Sequence, residues 1–175
     1  MAELTFNTTP GETVKRALLI AYLNTGTQAA PEWSAIGKRV EDSSIEYDWN
    51  PEKKTDIFGD TYTMGKSATK TQTFEPCELD ASDVAQIKIW NLAIRENNVN
   101  ALMNMDMLIA HLYAGDANKN FAERYESCSV LPTSLGGEGG GSVGMPIDVT
   151  YGGKRTLGTV GMADGEVVFT PDVSV

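Results

Sequence analysis

The sequence predicts a mainly β protein, an antiparallel β-sandwich or open barrel flanked by one α-helix. Three observations carry that expectation. Short, turn-bounded runs rich in Val, Ile, Thr and Tyr recur along the chain, roughly eight or more of them. Only one long stretch, Ser82 to Asn97 (SDVAQIKIWNLAIREN), reads as a helix. The C-terminal block alternates apolar and polar residues and carries an Asp164-Gly165 hairpin turn. With 175 residues, 17 Gly and 7 Pro, the chain fits one domain with many turns and a real hydrophobic core.

Residues 1–14 are polar and turn-rich, and read as an N-terminal arm or a peripheral strand. Arg16 to Leu23 (RALLIAYL) reads as a buried strand, and 26–31 as a loop. Trp33 to Val40 is a second strand, with Gly37 marking a kink or bulge. Ser43 to Asn50 has the clearest strand period. Ile45, Tyr47 and Trp49 alternate with Ser44, Glu46, Asp48 and Asn50, so the first set should enter the core and the acids the opposite face. Pro51 stops that strand. Residues 50–70 form a projecting hairpin around Gly59-Asp60, with Ile57, Phe58, Tyr62 and Met64 that its own domain has no evident means of covering. Lys70 to Leu79 returns as a strand broken near Pro76.

The helix follows, with Asp80 or Ser82 as its expected N-cap and Asp83 in the first turn. Lys88, Asn91 and Arg95 form a narrow polar stripe that also takes in Val84. Ala85, Ile87, Ile89, Trp90, Leu92, Ala93 and Ile94 cover most of the remaining circumference. That arc is about twice the ~100° needed to lie on one sheet. Two readings fit: a helix wedged deeply into its own domain, or one that packs on its own sheet and on a neighbouring subunit. After it come a strand from Ala101 to Ala114, a turn at 115–119, a strand from Phe121 to Val130 and a flexible Gly-rich connection over 135–144. Met145 to Tyr151, Lys154 to Met162 and Glu166 to Thr170 complete the sheet.

Acidic residues outnumber basic ones 24 to 14, for a net charge of −10. That argues against ordinary nucleic-acid binding, which needs clustered Lys and Arg to neutralise phosphates. Cys77 and Cys128 are too few for a disulfide framework, so a reducing compartment is the simpler assumption. No signal-peptide pattern opens the sequence, and no run approaches the ~20 apolar residues of a membrane helix. Asn7-Thr8-Thr9 is formally a glycosylation sequon, without meaning unless the chain is secreted.

Candidate chemistry reads as weak throughout. His111, the single histidine, sits inside an apolar strand (LIAHLYA), where a buried, hydrogen-bonded role fits better than a general base. With Cys77 and Cys128 it lacks any close ligand pair for zinc. Gly139, Gly141 and Gly144 match a dinucleotide pattern formally, but Pro146 and a strand follow where a helix N-terminus is needed. Asp116, Asn118 and Asn120 mimic a calcium loop, yet Phe121 replaces its Gly and Ser127 its bidentate Glu. Glu46 and Asp48 share one strand face, with nothing to split their pKa values. No catalytic residue, cofactor site or metal site is expected, and the chain is not read as an enzyme.

The order of segments resembles the tail tube (major tail) proteins of long-tailed bacteriophages. The strand ending in Asp48-Trp49-Asn50, the hairpin KTDIFGDTY, the returning TQTFEPCELD, the single helix and the terminal IDVTYGGKRTLGTVGMADGEVVFTP carry it, over roughly residues 30–172. The resemblance implies a single tail-tube domain over 1–175 whose inner sheets join into a hexameric β-barrel. Such rings self-assemble into the hollow tube of a siphovirus tail, and related tubes occur in contractile tails, tailocins and secretion machines. It further implies tape measure, tail terminator and baseplate or distal tail proteins as partners, and transit of double-stranded DNA without specific binding. Its place would be the virion tail, assembled in the host bacterial cytoplasm, with no membrane contact. On that analogy Ile57, Phe58, Tyr62 and Met64 of the hairpin and Ile89 and Trp90 of the helix meet other subunits, while Glu46 and Asp48 face the lumen. The alternative is a carbohydrate- or ligand-binding β-sandwich with Trp33, Trp49 and Tyr62 as a stacking platform.

Overall fold

A single strand ties the whole architecture together. The structure, a computed structural model, describes residues 3–116 and 118–172; the first two residues of the expected arm, Ala117 in the expected 115–119 turn and 173–175 lie outside them. Among the described residues eleven strands are present: β1 (Leu19–Asn24), β2 (Trp33–Ile36), β3 (Ile45–Asp48), β4 (Glu52–Thr55), β5 (Thr61–Met64), β6 (Thr69–Phe74), β7 (Met105–Asp116), β8 (Lys119–Pro132), β9 (Ile147–Tyr151), β10 (Arg155–Ala163) and β11 (Glu166–Pro171). The first half of β8 pairs antiparallel with β7 and with β10, while Ser129–Pro132 pair with β9. One sheet therefore runs β2-β1-β7-β8-β10-β11, and a second runs β8-β9-β6-β3. Strands β4 and β5 form a separate two-stranded ribbon.

Between the two sheets lies the main core. Ala21, Leu23, Met107 and Ile109 from the first sheet meet Phe74, Ile147, Val149 and Tyr151 from the second, closed by Ala85 and Ile89 of the helix. The opposite face of the first sheet carries a smaller core of Tyr22, Leu108, Ala110, Ala122 and Val160, with Val167 and Phe169 packed on it. Strand β7 is thus buried on both faces, which is why Met107 to Ala110 reads as an unbroken apolar run. A Cβ at Gly158 would stand 2.8 Å from the Phe169 ring, so glycine there lets β11 lie close on β10.

The helix is shorter and more irregular than its sequence period suggests. α1 (Val84–Trp90) continues as a π-helical turn over Asn91–Arg95. Its N-cap is neither Asp80 nor Ser82 but Asp83, whose Oδ1 accepts the Gln86 backbone N–H at 3.0 Å. The Asp80 carboxylate instead takes the N–H and hydroxyl of Ser82. Strand β7 also starts late. Asn98 caps a further turn, α2 (Val99–Leu102), by accepting the Ala101 N–H, and this uses up the first residues of the expected strand. Likewise Arg16–Leu18 form a 3-10 turn ahead of β1. Its Arg16 guanidinium donates to the Ser43 carbonyl at 2.8 Å.

Strand β3 departs from its sequence reading in a second way. Ile45 is half-buried, but Tyr47 and Trp49 are 45% and 59% exposed and stack on each other at 6.0 Å. The physical reason is position: β3 is the outermost strand of its sheet, beyond β6. The Gly-rich segment 135–144 is folded onto the body through bridges from Gly144 to Gly136 and to Glu78. Cys77 and Cys128 are free thiols with no exposed surface. Burial pushes the Cys128 thiol up to about 12. Among the described residues no helix is long and apolar enough to cross a membrane.

Phe74, 2% exposed at the centre of the main core, tests this packing. Phe74→Ala is expected to destabilise the fold by ~3–5 kcal/mol, read as a lower urea midpoint at unchanged slope.

Candidate subunit interface

The most exposed apolar side chains sit on the β4–β5 ribbon. Glu52 pairs with Met64 and Thr55 with Thr61, which leaves a tip of 56–60. Asp56 organises that tip: its Oδ1 accepts the backbone N–H of Phe58 at 2.9 Å and of Asp60 at 3.0 Å. Gly59 supplies the positive φ of 87° that the turn needs. Below the tip, Lys66 pairs with Glu52 at 2.9 Å across the base. The result is a built turn that holds Ile57 at 94% and Phe58 at 85% exposure. Tyr62 and Met64 line the arms and are also exposed. Holding two large apolar side chains out in water has no intramolecular justification.

The helix places its residues differently from the sequence expectation. Ile89 is 0% exposed and belongs to the main core, so it has no surface to offer a neighbour. Trp90 is half-buried against that core. Lys88, expected in the outward stripe, turns back to donate to the Asn24 carbonyl at 2.8 Å. It joins a buried network in which Arg124 grips Asp106 at 2.6 and 3.0 Å and Asn24 donates to Asp106 at 3.1 Å. Inward rotation of Lys88 leaves Val84, Ile87 and Ile94 as the exposed apolar line. Ile87 and Trp90 form one wall of an open groove of about 600 Å³; Leu79 and Ala81, then Leu135 and Val143 of the Gly-rich segment, complete it.

A polar face lies elsewhere. On the four-stranded sheet, strand alternation turns Lys70, Gln72, Phe74, Ile147, Val149 and Tyr151 inward. Glu46, Asp48, Thr71, Thr73, Asp148, Thr150 and Ser129 take the other side. Glu46, Asp48 and Asp148 are exposed, and no Lys or Arg of these strands shares that face. Asp148 was not singled out from sequence, although its alternation with Ile147 and Val149 marks it.

Where the two sheets meet, Glu123 is enclosed by cations. Its Oε2 accepts Lys70 Nζ at 2.6 Å, Arg155 Nε at 2.9 Å and the Tyr125 hydroxyl at 2.5 Å. His111 Nε2 lies 3.3 Å from Oε1, and its Nδ1 contacts the Tyr113 hydroxyl at 2.8 Å. His111 is therefore a buried partner of Glu123. Burial alone would raise the Glu123 pKa, but hydrogen bonds from His111, Lys70, Tyr125 and Arg155 outweigh it and hold the carboxyl well below its usual range. Sequence reading missed this cluster, yet a signal existed. Lys70 keeps phase with Phe74 and Glu123 with Tyr125, which puts both charges on the core side of their strands.

Among the described residues no group of three His, Cys, Asp or Glu is placed to hold a metal. The three aromatics of the ligand-platform alternative do not meet. Trp33 packs on the smaller core under Arg124, Trp49 stacks on Tyr47, and Tyr62 stands on the ribbon.

The comparisons with known proteins concern the fold. Neither a scan of protein families nor a search of curated proteins finds a match to this sequence. Solved structures do match. A chain from the PVC sheath/tube terminator in extended state, part of an extracellular contractile injection system, superposes with a TM-score of 0.53 at 10% identity, covering 85% of this chain and 99% of that one. The anti-feeding prophage cap, a tube-terminating cap, gives 0.50 at 12% identity, covering 87% and 95%. At these identities the likeness is one of fold alone.

Glu123 yields a test of the site's electrostatics. Its folded-state pKa is depressed, so its stabilisation is present above the usual carboxylate value of 4.5 and is lost as pH falls below it toward the folded-state value. Glu123→Gln should flatten that acid limb of the stability–pH curve. Glu123→Ala, which strands Lys70 beside Arg155, should cost ~3–5 kcal/mol at pH 7 in chemical denaturation.

Proposed function

We propose that the protein is a structural subunit of a phage-type tail or related injection tube, without catalytic role. The observation that carries this reading is the ribbon tip, a preorganised turn that keeps Ile57 and Phe58 in solvent on a chain whose fold matches tube-end proteins. Exposed anchors of this kind on a rigid element are what an obligate contact between subunits uses. In its specific form the reading is a hexameric ring, stacked into a hollow tube for DNA passage in the virion tail and assembled in the host cytoplasm. Tape measure, terminator and baseplate or distal tail proteins are its further partners. The four-stranded sheet would then turn its acidic, threonine-rich face to the lumen. That face offers DNA no cations and hence no counterion-release gain, so the polymer passes without sticking.

A second reading is favoured by a particular finding: the two neighbours named above are a sheath/tube terminator and a tube-terminating cap. On that reading the subunit closes the end of a tube as a single ring. Electron microscopy and sedimentation of the purified protein at high concentration separate the two. Tubes support the first reading and discrete rings the second, whereas a persistent monomer overturns both. Replacing 55–64 with a short Gly-Ser turn is expected to leave a folded protomer that no longer polymerises. An unfolded product would mean that the ribbon is an intramolecular element.

The lumen assignment makes its own prediction. Glu46→Lys with Asp48→Lys is expected to permit assembly but impair genome ejection, because a ring of cations in the bore would bind phosphate. Ejection at the normal rate, or both side chains on the tube's exterior, would reject it.

A further inference from the structure

One edge of β7 is shared between two stretches of chain. β1 covers it only as far as Leu19, opposite His111. Beyond that point the arm takes over. Phe6 bridges Ala114, the Asn7 N–H donates to the Tyr113 carbonyl at 2.9 Å, and the Gly115 N–H donates to the Thr5 carbonyl at 3.1 Å. The Asn7 side chain adds a bond to the Leu112 carbonyl at 2.9 Å. Phe6 meets the Tyr113 ring edge to face at 5.2 Å, yet stays 64% exposed. The tether between this arm and the Arg16 turn, residues 9–15, is exposed throughout. Few bonds, little buried surface and an exposed tether mark a segment that opens without the rest of the fold.

Beneath the arm a relay of side chains leads to the junction of the two sheets. The Tyr113 hydroxyl lies 2.8 Å from His111 Nδ1, and His111 Nε2 lies 3.3 Å from Glu123 Oε1. Burial raises the pKa of the Tyr113 hydroxyl, which therefore stays protonated and donates. A neutral imidazole that accepts at Nδ1 carries its hydrogen at Nε2, and that nitrogen faces Glu123. Glu123 in turn holds Lys70 of the second sheet at 2.6 Å. We propose that the arm is a strap: docked on β7 it holds Tyr113 over His111, fixes the imidazole tautomer and completes the Glu123 cluster, and undocked it releases them. Of the four donors to Glu123, Lys70, Tyr125 and Arg155 stand on β6, β8 and β10, while His111 stands two residues before the Tyr113 that the arm pairs with. His111 is thus the donor that follows the arm. Whatever draws the arm off β7 also loosens the point where the layers diverge. The strap acts within one protomer, whether or not copies assemble.

His111 is the single histidine, so its ring nitrogens are assignable directly in a nitrogen NMR spectrum of the isotope-labelled, full-length protein. At a pH where the ring is neutral, the wild type is expected to show hydrogen on Nε2 and none on Nδ1. Phe6→Ala with Asn7→Ala, both at exposed positions, undocks the strap. Tyr113→Phe cuts the relay but leaves a ring for Phe6 to meet. Both variants, confirmed as folded by circular dichroism, should show the same change, a mixture of the two tautomers. Ile57→Asp on the ribbon is the control and should leave the signals where they are. In wild-type hydrogen exchange, the Asn7 and Gly115 amides should exchange at least ~100-fold faster than those of Leu108 and Ile109 on the same strand. The strap is overturned by a wild type with its hydrogen on Nδ1, by ring signals that stay put in the arm variant or move in the control, or by Asn7 and Gly115 amides as slow as the centre of β7. Signals that move in the arm variant but not in Tyr113→Phe overturn the relay through the hydroxyl.

Discussion

Strand β8 is the constraint on which the rest depends. A sheet strand has two hydrogen-bonding edges, and over its first half β8 gives one to β7 and the other to β10. Past Tyr125 the β10 edge passes to β9, through the Glu126 and Ser127 N–H groups bonding the Lys154 and Gly152 carbonyls, while on the other edge the β7 ladder ends at Cys128. The chain thereby splits one sheet into two layers without a loop, and the main core fills the wedge between them. Glu123 lies on the first half and draws Lys70 across from the second sheet, so an ion cluster pins the layers where they diverge. Breaking that cluster would free the layers to shear, which is a different failure from hollowing the core.

Much of the architecture was legible because it is local. The ribbon showed itself through Gly59-Asp60 between apolar residues, the C-terminal meander through alternation and Asp164-Gly165, and the helix through its period. What was not legible depends on partners distant in sequence. Ile89 and Ile87 are equally apolar, and the elements that the helix packs on decide which of them faces water: Ile89 enters the main core, while Lys88 reaches the Asn24 carbonyl and Ile87 stays exposed. Tyr47 and Trp49 have the phase of core residues, but a strand's phase does not reveal that it is last in its sheet. The groove could not be read at all, since its walls come from an α-helix and a glycine-rich segment about fifty residues further on, which meet only in the fold.

The match to tube-end proteins at 10–12% identity shows how little sequence this architecture requires. Its demands are a strand buried on two faces, a bifurcating partner and a helix to close the wedge. Many apolar sequences meet them. The ribbon and the glycine-rich segment lie outside the main core, so their residues are not bound by its packing.

The two cysteines have a consequence for handling and for service. Burial raises the Cys128 thiol pKa, and only the thiolate attacks a disulfide or is readily oxidised. Cys77 is equally enclosed, with its sulfur accepting the Gln86 amide at 3.2 Å. Both thiols are thus shielded from solution oxidants and held in their less reactive protonated form. Copies brought to high local density in air would form no covalent crosslinks, and whatever they build would remain a purely non-covalent polymer.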